Sequence, residues 1–468
     1  MSDILWRESE LADVFGPPSA PLAGGVTGVS IDTRTLNPGE LFIAIKGDTH
    51  DGHDHVAKAL AGGGAAALAS TARANALSAF GPIFAVDDTL RGMEKLGVAA
   101  RARTRARVAA VTGSVGKTSA KEMLRLMLGV SGTTHASVAS FNNHWGVPLT
   151  LSRLPRDAAF AVFEIGMNHP GEVTPLVGFV RPHVAMVTTV APVHIEYFGT
   201  LEAIADAKAE IFSGVEPGGV AVLNRDAPQY ERLRAAALVR GLAVRTFGAA
   251  EGADARLIEM TSRDGGSRLA IELQRRRLSF DLGAPGRHMA ENALGALLVV
   301  EALGADVKAA ARALRDFRPQ KGRGERFELY VPDGPFTIID ESYNANPVSM
   351  RAALKLLGAS APGARGRRIA VIGDMLELGS EGSAMHAALA ADLEAAQADL
   401  LFAAGPLSKA LYDAAPAARR GHWAATSEDL RDALGAALSA GDVVMVKGSN
   451  GSRMGPLVAA LREKFSRA

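Results

Sequence analysis

Cysteine is absent from the 468-residue sequence. Its absence excludes disulfides, thiolate metal sites and a cysteine nucleophile, and it suits a reducing compartment. An excess of charge of either sign is also missing, because 51 Lys and Arg residues face 50 Asp and Glu residues for a formal net charge of +1. The charge balance therefore gives no indication of nucleic acid or an anionic membrane as a partner. Any charged ligand must be recognised locally.

Apolar runs long enough to cross a bilayer are missing as well. The first eight residues carry charges where a signal peptide needs an apolar stretch. We therefore expect a cytoplasmic protein without a membrane span. Its 468 residues, 48% hydrophobic and 22% charged, correspond to about three globular domains at the usual ~150 residues each.

The pattern of strands and helices divides the chain into three units. Residues 1–86 combine short apolar runs, such as 41–45, with an Ala-rich stretch, which predicts a small N-terminal α/β domain. Residues 87–316 alternate apolar strands with helix-length segments, which predicts a central domain with a parallel sheet, and the glycine-rich turn at 113–118 makes that domain P-loop ATPase-like. Residues 317–468 repeat that rhythm and predict a Rossmann-like domain. The expected fold class is α/β with three domains.

The expected strands of the second and third units lack polar alternation. Such strands are buried on both faces, as in parallel sheets covered by crossover helices. They span residues 108–111, 159–163, 184–187 and 220–223 in the second unit, and residues 336–340, 369–373, 400–402 and 443–446 in the third. The Gly- and Pro-containing segment 318–324 lies between the two units and is the expected hinge.

A glycine-rich turn follows the strand 108–111, and it reads Gly113, Ser114, Val115, Gly116, Lys117, Thr118. Such a turn offers backbone N–H groups to polyphosphate, with Lys117 on the β and γ oxygens and Thr118 on Mg²⁺. The general P-loop pattern needs a glycine at position 111, where Val111 stands. An ordinary glycine turn at the start of a helix near Ser119 is therefore the alternative to an ATP site.

Two polar residues stand where strands of the second unit end. Glu164 follows the strand 159–163, and His194 follows the next strand in the same way. The carboxyl ends of parallel strands are where α/β proteins bind ligands, and oxygen ligands suit the metal of a triphosphate enzyme. Each residue taken alone could equally be a structural polar residue at a strand end.

Several longer segments resemble the Mur ligases, the enzymes that build the peptidoglycan stem peptide. The loop 112–118 has the shortened Thr-Gly-x-x-Gly-Lys-Thr form of that family, which removes the objection at position 111. The other matching segments are residues 32–34, 51–53, 142–148, 164–168, 194–199, 208–212, 286–288 with Asn292, 340–347 and 373–379. Within the family, the last two segments resemble the member that adds D-alanyl-D-alanine to the UDP-N-acetylmuramoyl tripeptide.

The resemblance implies a mechanism in which the substrates supply the nucleophiles. The tripeptide carboxylate would attack the γ-phosphate of ATP to give an acyl phosphate, and the amine of D-alanyl-D-alanine would then displace phosphate. The protein would position the reactants and neutralise charge. Lys117 and two Mg²⁺ ions would serve that purpose, one ion with Thr118 and Glu164 and the other with His194 and Lys208. No nucleic acid partner is implied, and we expect a monomer.

In many members of that family, the lysine at the position of Lys208 carries a carbamate. Carbamylation turns the cation into an anionic oxygen ligand of the kind Mg²⁺ prefers, and it requires the neutral amine. Without the family match, a solvated lysine on a helix is the alternative interpretation of Lys208.

The resemblance also implies contacts of further residues. Ser119, His288, Asn292, Arg323 and Asp340 would join the loop in binding ATP, with Asp340 on the ribose and Arg323 on the γ-phosphate. Asn344 and Asn346 would lie near the reacting centre. The residues that would bind the other substrates are Asp32, Thr33, Arg34, Asn142, Asn143, Lys447 and Ser449. Spacing alone allows His288 and Asn292 a capping or core role, and 51–53 and 344–347 could be structural turns.

Two positions depart from the family pattern. Glu341 stands where a second aspartate is common, and Asn450 stands where many relatives have arginine, for which Arg453 could substitute. Alternatives to the assignment are a folylpolyglutamate-type or other amino-acid-adding ligase, and a P-loop switch or transport ATPase. A nicotinamide dehydrogenase is disfavoured because 371–375 lacks the Gly-x-Gly-x-x-Gly turn. The choice of diaminopimelate or lysine at the third stem position stays open.

Overall fold

The fold is taken from a computed structural model of the chain, which describes residues 4–138, 140–193, 195–263 and 265–466. Three sheets, each covered by helices, follow one another along the chain, and a small two-stranded sheet accompanies the first. This confirms the α/β class. Among the described residues, no helix combines the length and apolarity needed to cross a membrane.

The first unit is built on a four-stranded parallel sheet of order β3-β4-β5-β6, and β1 pairs with β2 in an antiparallel ribbon. The expected strand at 41–45 ends at Ile43, and a 3₁₀ turn, Gly52–His55, carries the segment 51–53. The elements are β1 Trp6–Arg7, α1 Glu8–Phe15, β2 Gly25–Val26, β3 Val29–Ser30, β4 Leu41–Ile43, α2 Val56–Ala61, β5 Ala66–Ser70, α3 Thr71–Leu77 and β6 Ile83–Val86.

The second unit contains a nine-stranded sheet of order β15-β14-β13-β12-β11-β10-β7-β9-β8. The elements are α4 Thr89–Arg103, β7 Arg107–Thr112, α5 Lys117–Gly129, β8 Thr134–Ala136, α6 Gly146–Ser152, β9 Phe160–Glu164, α7 Val173–Val180, β10 Val184–Val187, α8 Ile195–Phe198, α9 Leu201–Ala209, β11 Val220–Asn224, α10 Tyr230–Val239, β12 Ala243–Gly248, β13 Ala255–Arg263, β14 Gly266–Leu273, β15 Arg276–Leu282, α11 Arg287–Ala302 and α12 Val307–Ala313. All four expected strands are present.

The four expected strands of the central sheet pair in parallel, but one edge of the sheet is antiparallel, which the sequence pattern did not predict. The three strands β13, β14 and β15 form an antiparallel ribbon, while the strands from β8 to β13 pair in parallel. Tight connections explain the difference, because Gln274 and Arg275 adopt positive φ angles of 47° and 66° between β14 and β15. Two such residues make the type of turn that joins antiparallel strands directly. One face of the ribbon packs on α11 and the other faces solvent, which gives it the alternation that parallel strands lack.

The third unit is a six-stranded sheet of order β16-β17-β21-β18-β19-β20, parallel except where β16 pairs with β17. The elements are β16 Glu325–Val331, β17 Gly334–Glu341, α13 Pro347–Gly358, β18 Arg368–Gly373, α14 Gly382–Ala387, α15 Leu389–Ala395, β19 Leu400–Ala404, α16 Ser408–Ala414, β20 Arg420–Ala424, α17 Ser427–Ala437, β21 Val443–Lys447 and α18 Met454–Phe465. The four expected strands are present, and no helix or strand interrupts the expected hinge 318–324.

The first two units share a hydrophobic core. Leu68 of β5, Leu96 of α4 and Leu149 of α6 belong to one continuous cluster of buried side chains. Trp6 fastens the junction, since its indole N–H donates to the Ser152 carbonyl at 2.8 Å and the Arg103 guanidinium lies 3.4 Å from its ring centre. These two units are therefore firmly joined. We propose domain boundaries near residues 86 and 316, with α4 as the element that both units pack against.

Candidate functional site

The phosphate loop has the conformation that the sequence predicts. Strand β7 ends at Thr112, and α5 begins at Lys117. Gly113 and Gly116 both have positive φ angles, 144° and 88°. A Cβ on Gly113 would lie 2.0 Å from Thr188 Oγ1, and one on Gly116 would lie 2.6 Å from Asn292 Nδ2. Both positions therefore require glycine, for backbone conformation and for space.

Lys117 is the first residue of α5, where the loop ends, and it lines a cleft between the second and third units. Its Nζ donates to the Gly113 carbonyl at 2.7 Å. The pKa of Lys117 is lowered, mainly by burial. The nearby Arg323 also lowers it, while Glu164 acts in the opposite direction. The loop that precedes the helix thus brings a cation and the N-terminal N–H groups of α5 to one place, an arrangement that binds phosphate.

Glu164 is the central acidic group of the cleft and is completely buried at the end of β9. Its Oε1 accepts hydrogen bonds from Thr118 Oγ1 at 3.1 Å and from Asn142 Nδ2 at 2.7 Å. Its Oε2 has no hydrogen-bond partner among the described residues. A buried carboxylate oxygen without a partner is costly, so the site is incomplete without a further ligand on that atom.

The donors around this oxygen fit Mg²⁺. This ion binds through one or two protein oxygens together with substrate phosphates and water, and the Thr118 hydroxyl and the Glu164 carboxylate lie beside the phosphate loop. His194, the other expected ligand on this side, lies outside the described residues. Apart from it, no group of three or more histidine or acidic side chains that could hold a metal occurs in the described ranges. The protein's share of the coordination is small, as in phosphate-bound magnesium sites.

Lys208 is buried on α9, with 2% of its surface exposed. No carboxylate of the described chain lies within ion-pair distance of it. Burial holds the pKa of Lys208 well below its ordinary value, and the nearby Lys117 lowers it further. The interpretation as a solvated helix lysine is therefore wrong. A neutral amine in this position meets the requirement for carbamylation, which itself stays a prediction.

Arg323 joins the third unit to the phosphate loop. Its guanidinium donates to Ser140 Oγ at 2.9 Å and lies 4.0 Å from the centre of the Tyr343 ring. Ser140 Oγ also lies 3.4 Å from Thr118 Oγ1. The expected hinge thus places a second cation opposite Lys117, with its contact to phosphate still a prediction.

A neighbouring part of the cleft collects the third unit's polar residues. Lys447 is buried and donates to the Asn344 carbonyl at 2.9 Å and to Glu341 at 3.5 Å. Asn344 and Asn346 line the cleft beside Lys117. Asn346 also caps α13, because its Oδ1 accepts from the Ser349 N–H at 2.9 Å. The structural role expected as an alternative is thus present together with access to the cleft.

Ser449 lies in the same part of the cleft as Asn346 and the segment 450–451. Its hydroxyl accepts from the Leu376 N–H at 3.0 Å and donates to the Ala345 carbonyl at 3.3 Å. It therefore ties together the two segments, 340–347 and 373–379, that carry the most specific sequence resemblance.

The expected adenine and ribose contacts differ in their settings. His288 lines the cleft at the start of α11, and Asn292 lies one turn later against Gly116. Asp340 is fully buried and does not line the cleft. Its oxygens accept from the Gly322 N–H at 3.0 Å and from the Ser342 N–H and hydroxyl at 3.1 and 2.5 Å. In this conformation Asp340 fixes the hinge, and its contact to ribose stays a prediction.

The expected substrate residues of the first two units have local partners. Arg34 forms an exposed ion pair with Asp32 at 2.7 Å, which lowers the pKa of Asp32 to about 2, while Thr33 lies between them. Asn143 accepts from the Trp145 and Gly146 N–H groups in the turn that precedes α6.

The segment 51–53 is a turn in which Asp51 binds the His53 ring. The ring's other nitrogen accepts from the Ser70 N–H at 2.9 Å. The alternative interpretation of the segment 51–53, a structural turn, is confirmed.

Some residues that line the cleft are not among the site residues predicted from the sequence. Ser140, Tyr343 and Glu341 all line it. Tyr343 and Glu341 belong to the segment 340–347, so the resemblance carries a signal for them. Ser140 has no signal of its own except its place two residues before Asn142, and only the approach of Arg323 from the third unit reveals it.

We expect Gly116→Ala to weaken ADP binding by at least about tenfold, roughly 1.4 kcal/mol. The added methyl group meets Asn292 in addition to the unfavourable positive φ. Isothermal titration calorimetry measures the affinity. Gly241→Ala is the matched control, because Gly241 also has a positive φ, 70°, but no atom lies within 4 Å of its added Cβ. Equal affinities in the two variants would contradict the assignment of the loop.

Comparison with known proteins agrees with this geometry along the whole chain. The profile described as the Mur ligase middle domain matches residues 111–300, that of the Mur ligase, glutamate ligase domain matches 325–450, and that of the Mur ligase family, catalytic domain matches 25–114.

Curated relatives and solved structures are similar over nearly their full length. UDP-N-acetylmuramoyl-tripeptide--D-alanyl-D-alanine ligase of Escherichia coli strain K12 is 35% identical, over 99% of this chain and 97% of its own. The protein of that name in Bacillus subtilis strain 168 is 32% identical, over 94% and 93%. A crystal structure of MurF from Acinetobacter baumannii superposes with a TM-score of 0.83 at 28% identity, covering 98% of this chain and 99% of the other. The chain belongs to the Mur ligase family.

Proposed function

We propose that this chain is the ATP-dependent ligase that joins D-alanyl-D-alanine to UDP-N-acetylmuramoyl tripeptide in peptidoglycan synthesis. The observation that carries the proposal is one cleft that holds the phosphate loop with Lys117, the free oxygen of Glu164, and Asn344 and Asn346 of the third unit. The full-length relatives named for this reaction support it.

The first step needs two anions to meet, since the tripeptide carboxylate must approach the γ-phosphate. Lys117 and Arg323 face the cleft from opposite sides and would lower that repulsion. The carboxylate oxygen forms a bond to phosphorus, and the bond from phosphorus to the β,γ-bridging oxygen breaks, so ADP leaves and an acyl phosphate remains. Mg²⁺ held by Thr118 and Glu164 would supply further charge neutralisation at the phosphate oxygens.

The second step forms the amide. The neutral amine of D-alanyl-D-alanine attacks the acyl carbon, the carbon–oxygen bond to phosphate breaks, and inorganic phosphate leaves with the proton that the nitrogen gives up. The dipeptide would enter the part of the cleft lined by Asn346, Ser449 and the segment 450–451, beside Lys117. Asn344 and Lys447 would orient the reacting groups there. The third unit therefore supplies the acceptor side, and closure over the phosphate loop brings the two substrates together.

The remaining roles follow from the same arrangement. The first unit, near Asp32, Thr33 and Arg34, would bind the uridine diphosphate end, and Asn142 and Asn143 would lie along the path to the reacting carboxylate. His288 and Asn292 would contact the adenine, and Asp340 the ribose. His194 and Lys208 would hold a second Mg²⁺. We propose that the enzyme acts as a monomer in the cytoplasm, with no partner other than its small-molecule substrates.

The assignment predicts that phosphate release requires three components. ATP turnover should be at least about 100-fold faster with both UDP-N-acetylmuramoyl tripeptide and D-alanyl-D-alanine than with either alone, because phosphate leaves only when the amide forms. A phosphate-release assay with the diaminopimelate- and lysine-containing tripeptides measures this and also identifies the third stem residue.

Substitution of D-alanyl-D-alanine by D-alanine or glutamate serves as the control and should leave the rate at background. Activity with glutamate alone would favour a folylpolyglutamate-type ligase and overturn the proposal. Turnover without any acceptor would favour a switch or transport ATPase.

The proposed carbamate predicts the behaviour of Lys208→Ala. The variant should lose turnover by at least about 1000-fold, because the second metal loses its oxygen ligand. A short carboxylic acid such as formate should restore part of it by supplying an oxygen in the vacated space. Steady-state phosphate release with and without formate measures both effects.

Lys308→Ala, on the exposed side of α12, is the control and should behave as wild type with or without formate. Full activity of Lys208→Ala without any added acid would exclude the carbamate role.

A further inference from the structure

Lys121 is the most deeply buried lysine that the proposed reaction does not use. It lies on α5, four residues after Lys117, and its side chain is completely buried. Its ammonium donates to Glu122 Oε1 at 2.5 Å and to the Ser137 carbonyl at 2.7 Å. Apolar side chains of similar size often replace a buried ion pair without loss of stability. Stability alone therefore does not account for a lysine at this position.

Lys121 donates to the carbonyl of Ser137, and Ser137 in turn contacts the backbone of Glu164, the proposed metal ligand. Ser137 follows β8 directly and is buried. Its N–H continues the sheet by donating to the Val162 carbonyl at 3.3 Å, and its hydroxyl accepts from the Glu164 N–H at 3.4 Å. Ser137 is thus fixed by Lys121 from one side and contacts the backbone of Glu164 from the other.

Ser137 also begins the segment that completes the cleft. Three residues later, Ser140 contacts both Thr118 and Arg323, and two residues after that, Asn142 donates to Glu164 Oε1. The Asn142 carbonyl accepts from the Gly166 N–H at 2.8 Å, which closes the segment onto the loop after β9. The position of Ser137 therefore bears on where Ser140 and Asn142 stand relative to the phosphate loop.

The charge of Lys121 is balanced locally, so it does not act by long-range attraction. Burial raises the pKa of Glu122, but hydrogen bonds from Lys121 and Arg125 outweigh it and lower the pKa. Arg125 contacts Glu122 Oε2 at 2.8 Å from the surface, with 57% of its side chain exposed. The two cations share one carboxylate, but only Lys121 also reaches Ser137.

We infer that Lys121 is a positioning residue for the metal-and-phosphate site, which fixes Ser137 and through it the Glu164 backbone and the segment bearing Ser140 and Asn142. This inference rests on the proposed function, because it takes Glu164 and Thr118 as the metal-binding pair. Lys121 does not line the cleft, so it would touch neither nucleotide nor substrate. Its effect should therefore appear in metal affinity and turnover and leave acceptor binding unchanged.

Three variants separate this role from a general loss of stability. Lys121→Met removes the ammonium at nearly constant length, Ser137→Ala removes only the hydroxyl that meets the Glu164 N–H, and Arg125→Met removes the other partner of Glu122. Paramagnetic resonance titration of Mn²⁺ into each full-length protein with saturating ADP gives the metal affinity without turnover. Phosphate-release kinetics against Mg²⁺ and D-alanyl-D-alanine give kcat and both KM values.

We expect Lys121→Met to weaken Mn²⁺ binding to the ADP complex by at least about tenfold and to lower kcat, with the KM for D-alanyl-D-alanine unchanged. Ser137→Ala should shift the metal affinity in the same direction by about threefold, and Arg125→Met should match wild type. Ser137→Ala also decides the question if Lys121→Met fails to fold.

Wild-type metal affinity in a folded Lys121→Met variant would overturn the inference, as would wild-type affinity in Ser137→Ala if Lys121→Met does not fold. An equal effect in Arg125→Met would overturn it too, since it would show that only the charge of Glu122 matters. Failure of the wild-type protein to bind Mn²⁺ with ADP would instead contradict the proposed function itself.

Discussion

The arrangement of the cleft depends on one half-satisfied carboxylate. Glu164 is completely buried at the end of β9, where Thr118 and Asn142 occupy one of its oxygens and the other has no partner among the described residues. Burying and orienting this carboxylate is costly, and a bound cation would offset that cost. Other parts of the cleft also lie close to Glu164. The glycines of the phosphate loop let α5 begin beside this carboxylate, and Arg323 reaches toward it from the third unit.

The basic side chains in and beside this cleft differ in their surroundings. Lys117 and Arg323 line the cleft where phosphate would enter, whereas burial and the nearby Lys117 lower the pKa of Lys208 and favour its neutral amine. Desolvation and like charge act in the same direction on that amine. The third unit contributes Lys447, which is buried against Glu341 and Asn344. The proposed phosphate and acceptor sides of the cleft thus meet where the hinge, held by Asp340, joins the second unit to the third.

Much of this could be predicted from the sequence, because its signals are local. Apolar strands without alternation identify both parallel sheets, and the shortened glycine loop with Glu164 at a strand end identifies the phosphate site. The antiparallel ribbon β13–β15 was missed because its tight connections depend on positive φ angles at Gln274 and Arg275. Ser140 was missed because its partner Arg323 is 183 residues away in the chain. The turn that Asn143 forms before α6, helix capping by Asn346 and the engagement of Asp340 in the hinge are likewise properties of the folded chain that spacing does not reveal.

The central claim is that one cleft carries out phosphoryl transfer to a carboxylate and not to water. The most direct measurement uses UDP-N-acetylmuramoyl tripeptide labelled with ¹⁸O in the reacting carboxylate, together with ATP and D-alanyl-D-alanine. If an acyl phosphate forms, its carbon–oxygen bond breaks when the amine attacks, and mass spectrometry of the released phosphate should find one ¹⁸O atom per molecule from fully labelled substrate. Phosphate without ¹⁸O would mean that water or another group attacks ATP, and would contradict the account.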